Sequence, residues 1–181
     1  MAMPISVRRY TVNEIASWPD DGNRYELLDG FLLVTPSPGS PHQVVATRIA
    51  GFLMTCLRDQ PDVHVAAPGA IIVRPKTELQ PDVLVFRAPG RLPKWEKVRD
   101  HLLAIEVQSR STKVYDADHK RPAYLKLGVA EVWRVSPDER AIYVARKGTT
   151  ERRHLKPFTW RPAGLDRAFL VPVGDFFRGI D

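Results

Sequence analysis

Asp82 and Glu106 each interrupt a short apolar run, Pro81-Asp82-Val83-Leu84-Val85-Phe86 and Leu102-Leu103-Ala104-Ile105-Glu106-Val107-Gln108. Runs of this length, rich in Val, Leu, Ile and Phe, read as strands covered on both faces. An ionised carboxylate inside such a strand is costly unless a partner compensates it. Alternation along the second run puts Leu102, Ala104, Glu106 and Gln108 on one face and Leu103, Ile105 and Val107 on the other. If the runs are neighbouring strands, Asp82 at the start of one and Glu106 near the end of the other come within the span that one divalent cation bridges. Carboxylate oxygens suit Mg²⁺ or Mn²⁺ rather than Zn²⁺. The competing reading leaves both acids at strand ends, solvated or paired with an Arg, and these residues alone keep both readings open.

The surrounding elements must position the acids. Thr11-Val12-Asn13-Glu14 has the form of a capping box and predicts a short helix to Trp18. Arg24 to Leu28 and Phe31 to Val34 flank Asp29-Gly30, a tight-hairpin signal. Within the first of these strands Glu26 either faces solvent beside Arg24 or points into the site as a third carboxylate. Ser40-Pro41-His42-Gln43 opens a helix with Ser40 as N-cap, and Val45, Ile49, Phe52, Leu53 and Cys56 mark one of its faces through about Arg58. His42 lies on the same side, as a satisfied structural group or as a group that binds phosphate or orients water.

Val63 to Val65 and Ala70 to Val73 read as two antiparallel strands around Pro68-Gly69. Arg87 to Arg99 is a basic loop whose Trp95 serves either as a packing anchor or as a stacking surface for a base. A helix is expected from about Asp116 to Leu127, with Pro122 in its first turn, Gly128 as C-cap, and Lys120 and Tyr124 four apart on one face. Ala130 to Ser136 and Ala141 to Arg146 form the next expected hairpin, and Glu151 to Leu155 pairs with Phe169 to Val173 at an edge.

The 181 residues suit one domain, 1–181, and 44% hydrophobic with 27% charged residues is ordinary for a soluble globular chain. The single Cys56 excludes an internal disulfide and reads as core packing in a reducing compartment. With neither a signal-peptide pattern nor an apolar run of membrane-spanning length, a cytoplasmic protein without membrane contact is expected. The net charge is +6, and between Arg140 and Arg167 eight basic residues face two acidic ones, a bias toward a polyanion that is also common in proteins binding no nucleic acid. No Gly-rich phosphate loop, zinc-type Cys/His spacing or nucleophilic Ser elbow occurs.

Arg24-Tyr25-Glu26-Leu27-Leu28-Asp29-Gly30, Pro36-Ser37-Pro38 with His42, Pro81-Asp82, Ile105-Glu106-Val107 with Ser109 and Ser111-Thr112, and Asp116 through Lys120 to Tyr124 with Gly128-Val129 and Trp133 together resemble the Uma-type putative restriction endonuclease family of the PD-(D/E)XK nuclease superfamily. The likeness runs in order from about residue 10 to 177. It implies an α/β (α+β) fold, a restriction-endonuclease-like mixed β-sheet flanked by helices, with Asp82 and Glu106 as the paired acids. The superfamily usually carries Lys two residues after the second acid. Here that place is Gln108, and Lys120 on the following helix matches the position from which this family supplies the Lys.

The resemblance implies an endodeoxyribonuclease that hydrolyses DNA phosphodiester bonds with Mg²⁺ or Mn²⁺. The expected metal ligands are Asp82, Glu106 and Glu26; Lys120 orients water or offsets developing charge, Gln108 hydrogen-bonds the nucleophile, and His42, Asp116 and Tyr124 are accessory. DNA is the expected partner. A homodimer follows from the two-fold reading of palindromic sites. The alternative from another class is a nucleic-acid-binding or regulatory module that keeps the fold and cleaves nothing.

Overall fold

Thr11 caps the first helix, α1 (Val12–Ala16), through the reciprocal capping box that the sequence predicts: its hydroxyl accepts from the Glu14 N–H at 3.3 Å and its own N–H donates to Glu14 Oε2 at 2.7 Å. The helix closes at Ser17, one residue short of the expected Trp18. The computed structural model describes residues 8–108 and 119–180. β1 (Asn23–Leu28) and β2 (Phe31–Pro36) pair antiparallel with Leu28 opposite Phe31. The turn between them holds Asp29 at φ 51° and Gly30 at φ 84°, the pair of left-handed residues that a two-residue hairpin of this hand requires.

Two sheets meet over the acid-bearing strands. The larger is mixed, in the order β10-β9-β8-β7-β6-β3, and contains β3 (Val63–Ala66), β6 (Val83–Arg87), β7 (Asp100–Val107), β8 (Glu131–Ser136), β9 (Ala141–Arg146) and β10 (Arg152–His154). Among the described residues only β7 and β8 run parallel in it. The smaller, β2-β1-β5-β4, adds β4 (Ile71–Val73) and β5 (Thr77–Leu79), while β11 (Phe158–Trp160) and β12 (Phe169–Val171) form a separate ribbon.

The long helix α2 (Ser40–Leu57) lays Val45, Ile49 and Leu53 against Val83, Val85, Leu103 and Ile105 on one face of the large sheet. The opposite face buries Leu84, Ala104 and Val132 under Tyr124 of α3 (Arg121–Lys126) and Ile71 and Leu79 of the small sheet. Both runs that carry the acids are thus covered on both faces, as their continuous apolar composition requires. A last short helix, α4 (Val173–Phe176), packs its Phe176 on Phe52 of α2.

Three pairings differ from expectation. β3 and β4 do not form a hairpin: β3 becomes the edge of the large sheet beside β6, and β4 joins the small sheet through β5, a three-residue strand with no apolar pattern to announce it. The crossing segment is tied to the start of β6, because the Gly69 N–H donates to the Pro81 carbonyl at 3.1 Å and Gly69 lies flat on Leu84. The Glu151–Leu155 and Phe169–Val173 segments do not pair with each other either. β10 extends β9, and β12 takes β11 as partner. Finally, the register shifts between Val85 and Phe86, so Leu102 enters the α2-side core with Leu103 instead of alternating onto the face of Ala104.

A Cβ at Gly69 would stand 2.3 Å from the Cβ of Leu84, itself fully buried. Gly69→Ala is therefore expected to destabilise the fold by about 2–3 kcal/mol, read as a lower urea midpoint at unchanged slope.

His101, buried in β7, contributes a pH dependence of its own. Neither ring nitrogen has a hydrogen-bond partner among the described residues, and burial pushes its pKa below the ordinary histidine value, against the pull of Asp100. The unfolded chain takes up this proton near pH ~6.5, whereas the folded ring resists it, so stability is full above that pH and falls as the pH drops toward the lower folded value. His101→Leu is expected to flatten the loss of melting temperature between neutral and mildly acidic pH. An unchanged pH profile would contradict this assignment.

Candidate active site

Alternation along β1 puts Arg24 and Glu26 on one face, two residues apart. Glu26 is 0% exposed, which settles the choice left by the sequence against a solvated acid. Its Oε1 accepts from the Gln80 N–H at 2.7 Å, and its Oε2 stands 2.6 Å from the Lys120 ammonium. Lys120 comes from the turn that enters α3 and is only 5% exposed. The same ammonium reaches Glu106 Oε1 on β7 at 3.2 Å. Tyr124, one helical turn further on, donates its hydroxyl to that same Glu106 oxygen at 2.5 Å. Burial first, and then the charges of Glu106 and Glu26, hold the Tyr124 pKa well above its ordinary value, so it remains a donor.

Asp82 sits immediately before β6, one step beyond the Val83–Ile105 pair and hence level with Glu106. Arg24 donates from both terminal nitrogens to its Oδ1, each at 3.1 Å, while His42 Nε2 at 3.0 Å and the Val107 N–H at 2.8 Å meet its Oδ2. Burial alone would raise the Asp82 carboxyl. The His42 ring, Arg24 and the Val107 amide outweigh it and hold the pKa below the ordinary aspartate value. The Arg partner that the competing reading gives Asp82 is thus present, on a buried acid and not a solvated one.

His42 reaches Asp82 from the first turn of α2, whose N-cap is Gly39; Ser40, expected as the cap, is the first helical residue. Gln108 continues β7, its N–H donating to the Val135 carbonyl at 2.7 Å, with its side chain buried. Asp116, with Ser109, Ser111 and Thr112, lies outside the described residues. Trp95 is half-buried and meets Phe86 edge-on with ring centres 5.4 Å apart, the packing-anchor geometry.

Arg24 is the site residue that the sequence reading did not assign. Its signal was available, because a strand that turns Glu26 inward must turn Arg24 the same way. Burial opposes its charge, but Asp82, Glu26 and Glu106 together keep the guanidinium protonated.

The donor set toward a cation is all oxygen. Among the described residues no three His, Cys, Asp or Glu side chains stand grouped around one metal position. Glu26 and Glu106, from two different sheets, converge on a single cationic centre, the Lys120 ammonium.

Residues 12–168 match the model of the Uma2 family, described as a putative restriction endonuclease. The chain belongs to the Uma2 family. Among solved structures, a putative nuclease belonging to DUF820 from Anabaena variabilis shares the fold of this Uma2 chain with a TM-score of 0.74, at 18% identity over 93% of this chain and 97% of that one. No curated protein matches the Uma2 chain. No helix among its described residues is long and apolar enough to cross a membrane.

Proposed function

We propose that this Uma2 chain is a divalent-metal-dependent endonuclease that hydrolyses DNA phosphodiester bonds, a single PD-(D/E)XK-type domain that acts in the cytoplasm as a homodimer. The observation that carries the reading is the shared Lys120 ammonium between Glu26 and Glu106, with Asp82 level with Glu106 on the next strand. Buried acids gathered around a Lys are costly to keep, and phosphodiester hydrolysis uses each of them.

Asp82 and Glu106, with Glu26, would hold Mg²⁺ or Mn²⁺ through carboxylate oxygens. The bound cation supplies Lewis-acid polarisation of the phosphate and a more acidic water. Lys120 offsets the negative charge that develops on the phosphoryl oxygens and orients the attacking water by donation from its ammonium. Tyr124, through its hydroxyl on Oε1, fixes the Glu106 carboxylate. Gln108 supplies a hydrogen bond to the nucleophile and no charge, so the cationic role toward the phosphoryl group is assigned to Lys120. The basic excess between Arg140 and Arg167 supports an anionic polymer as partner.

Calorimetric titration with Mn²⁺ tests the metal assignment. The wild-type chain is expected to give a saturable isotherm that disappears in the Asp82→Ala, Glu106→Ala double variant. An identical isotherm in that variant would remove both residues from the metal shell.

A further inference from the structure

Asp82 has no free acceptor site in this arrangement. A carboxylate offers about four lone-pair directions, and Asp82 meets four donors: both terminal nitrogens of Arg24 at 3.1 Å, His42 Nε2 at 3.0 Å and the Val107 N–H at 2.8 Å. If Asp82 binds a cation, as the proposed function requires, one donor must leave. The Val107 N–H belongs to the backbone of β7, and His42, on the first turn of α2, lines neither of the cavities that Arg24 lines. Arg24 has somewhere to go. It lines both a recess of about 120 Å³ that it shares with Asp82 and Gln43 and, on the other side, an open cleft of about 440 Å³ walled by Trp18, Tyr25 and Gln80. The recess itself has room for a hydrated ion of a few waters.

We propose that Arg24 is a positioning residue that competes with the divalent cation for Asp82. Its guanidinium holds Oδ1 until the cation displaces it toward the Trp18 cleft. The intrinsic affinity of Asp82 and Glu106 for a divalent ion is thereby lowered by the cost of breaking a buried, charge-assisted pair. His42 and the Val107 amide stay on Oδ2 throughout and keep the carboxylate aimed. This inference rests on the metal reading above, and it concerns a residue that reading does not use.

The test is Mn²⁺ affinity by calorimetry, without nucleic acid, in wild type, Arg24→Met and Arg121→Met. Arg121 pairs with Glu151 at 3.3 Å, so its loss measures the general effect of removing a nearby positive charge. Arg24→Met is expected to bind Mn²⁺ about tenfold more tightly or better, with Arg121→Met changed far less. Equal gains in the two variants, or no gain in Arg24→Met, would overturn the competition. If Arg24→Met does not fold, as judged by its melting curve, Arg24→Gln carries the same comparison, since it keeps a donor for the Gln80 carbonyl that Arg24 holds at 3.0 Å. Absence of Mn²⁺ binding in every variant would overturn the metal reading and this inference with it, whereas binding that is unchanged by Arg24 overturns the inference alone.

Discussion

Glu106→Gln is expected to lower the rate of DNA cleavage by at least about a thousandfold, roughly 4 kcal/mol of transition-state stabilisation, while the fold survives. The amide oxygen of Gln still accepts from the Tyr124 hydroxyl and the Lys120 ammonium, both of which now meet Glu106 Oε1. What is lost is the negative charge needed to hold a divalent cation. The check is a pair of measurements on the same preparation: initial rates on supercoiled plasmid with Mg²⁺ and with Mn²⁺, and a melting curve within a few degrees of wild type. Cleavage at the wild-type rate would take Glu106 out of the reacting centre and return it to a structural role.

Lys120→Met is expected to affect both activity and stability. In the fold it removes an ammonium shared by Glu26, 0% exposed, and Glu106, 4% exposed, and leaves two buried acids short of positive charge. Breaking a buried ion pair from one side costs about 3–5 kcal/mol, and losing one charge-stabilising group at a reacting centre costs about 10²–10³ in rate. Because a divalent cation bound only by the folded state adds stability that grows with the logarithm of its free concentration over its Kd, Mn²⁺ should restore much of the lost melting temperature and none of the lost rate. Urea unfolding with and without Mn²⁺, beside cleavage rates, separates the two effects. A Lys120→Met protein as stable as wild type would show that Glu26 and Glu106 do not depend on that ammonium.

The acids were legible because they broke a pattern. Carboxylates in runs otherwise fit for a doubly covered strand had to be compensated, and both Asp82 and Glu106 are compensated. Glu26 was ambiguous for the converse reason: its strand lies in a sheet of mixed exposure, and alternation there allows either face. The local signals with a fixed geometry were read correctly, among them the Thr11 capping box and the Asp29-Gly30 turn. Strand partners were not legible where the deciding contact is distant in sequence. Gly69 against Leu84 sends β4 into the other sheet, and β5 and β11 have only three residues each in which to show a period. Lys120 could be found only through the family pattern, since nothing in the composition of its helix distinguishes it from a solvated Lys. Arg24 illustrates the opposite loss, because its facing was implied by Glu26 while its role on Asp82 depends on a strand fifty-eight residues away.

The most direct test of the nuclease assignment is digestion of supercoiled plasmid and of single-stranded DNA by wild type and by the Asp82→Ala, Glu106→Ala double variant, across a range of Mg²⁺ and Mn²⁺ concentrations. The expected result is metal-dependent cleavage by wild type, abolished by EDTA and absent in the double variant. Equal cleavage by both proteins, or none by wild type on either substrate at any metal concentration, would contradict it.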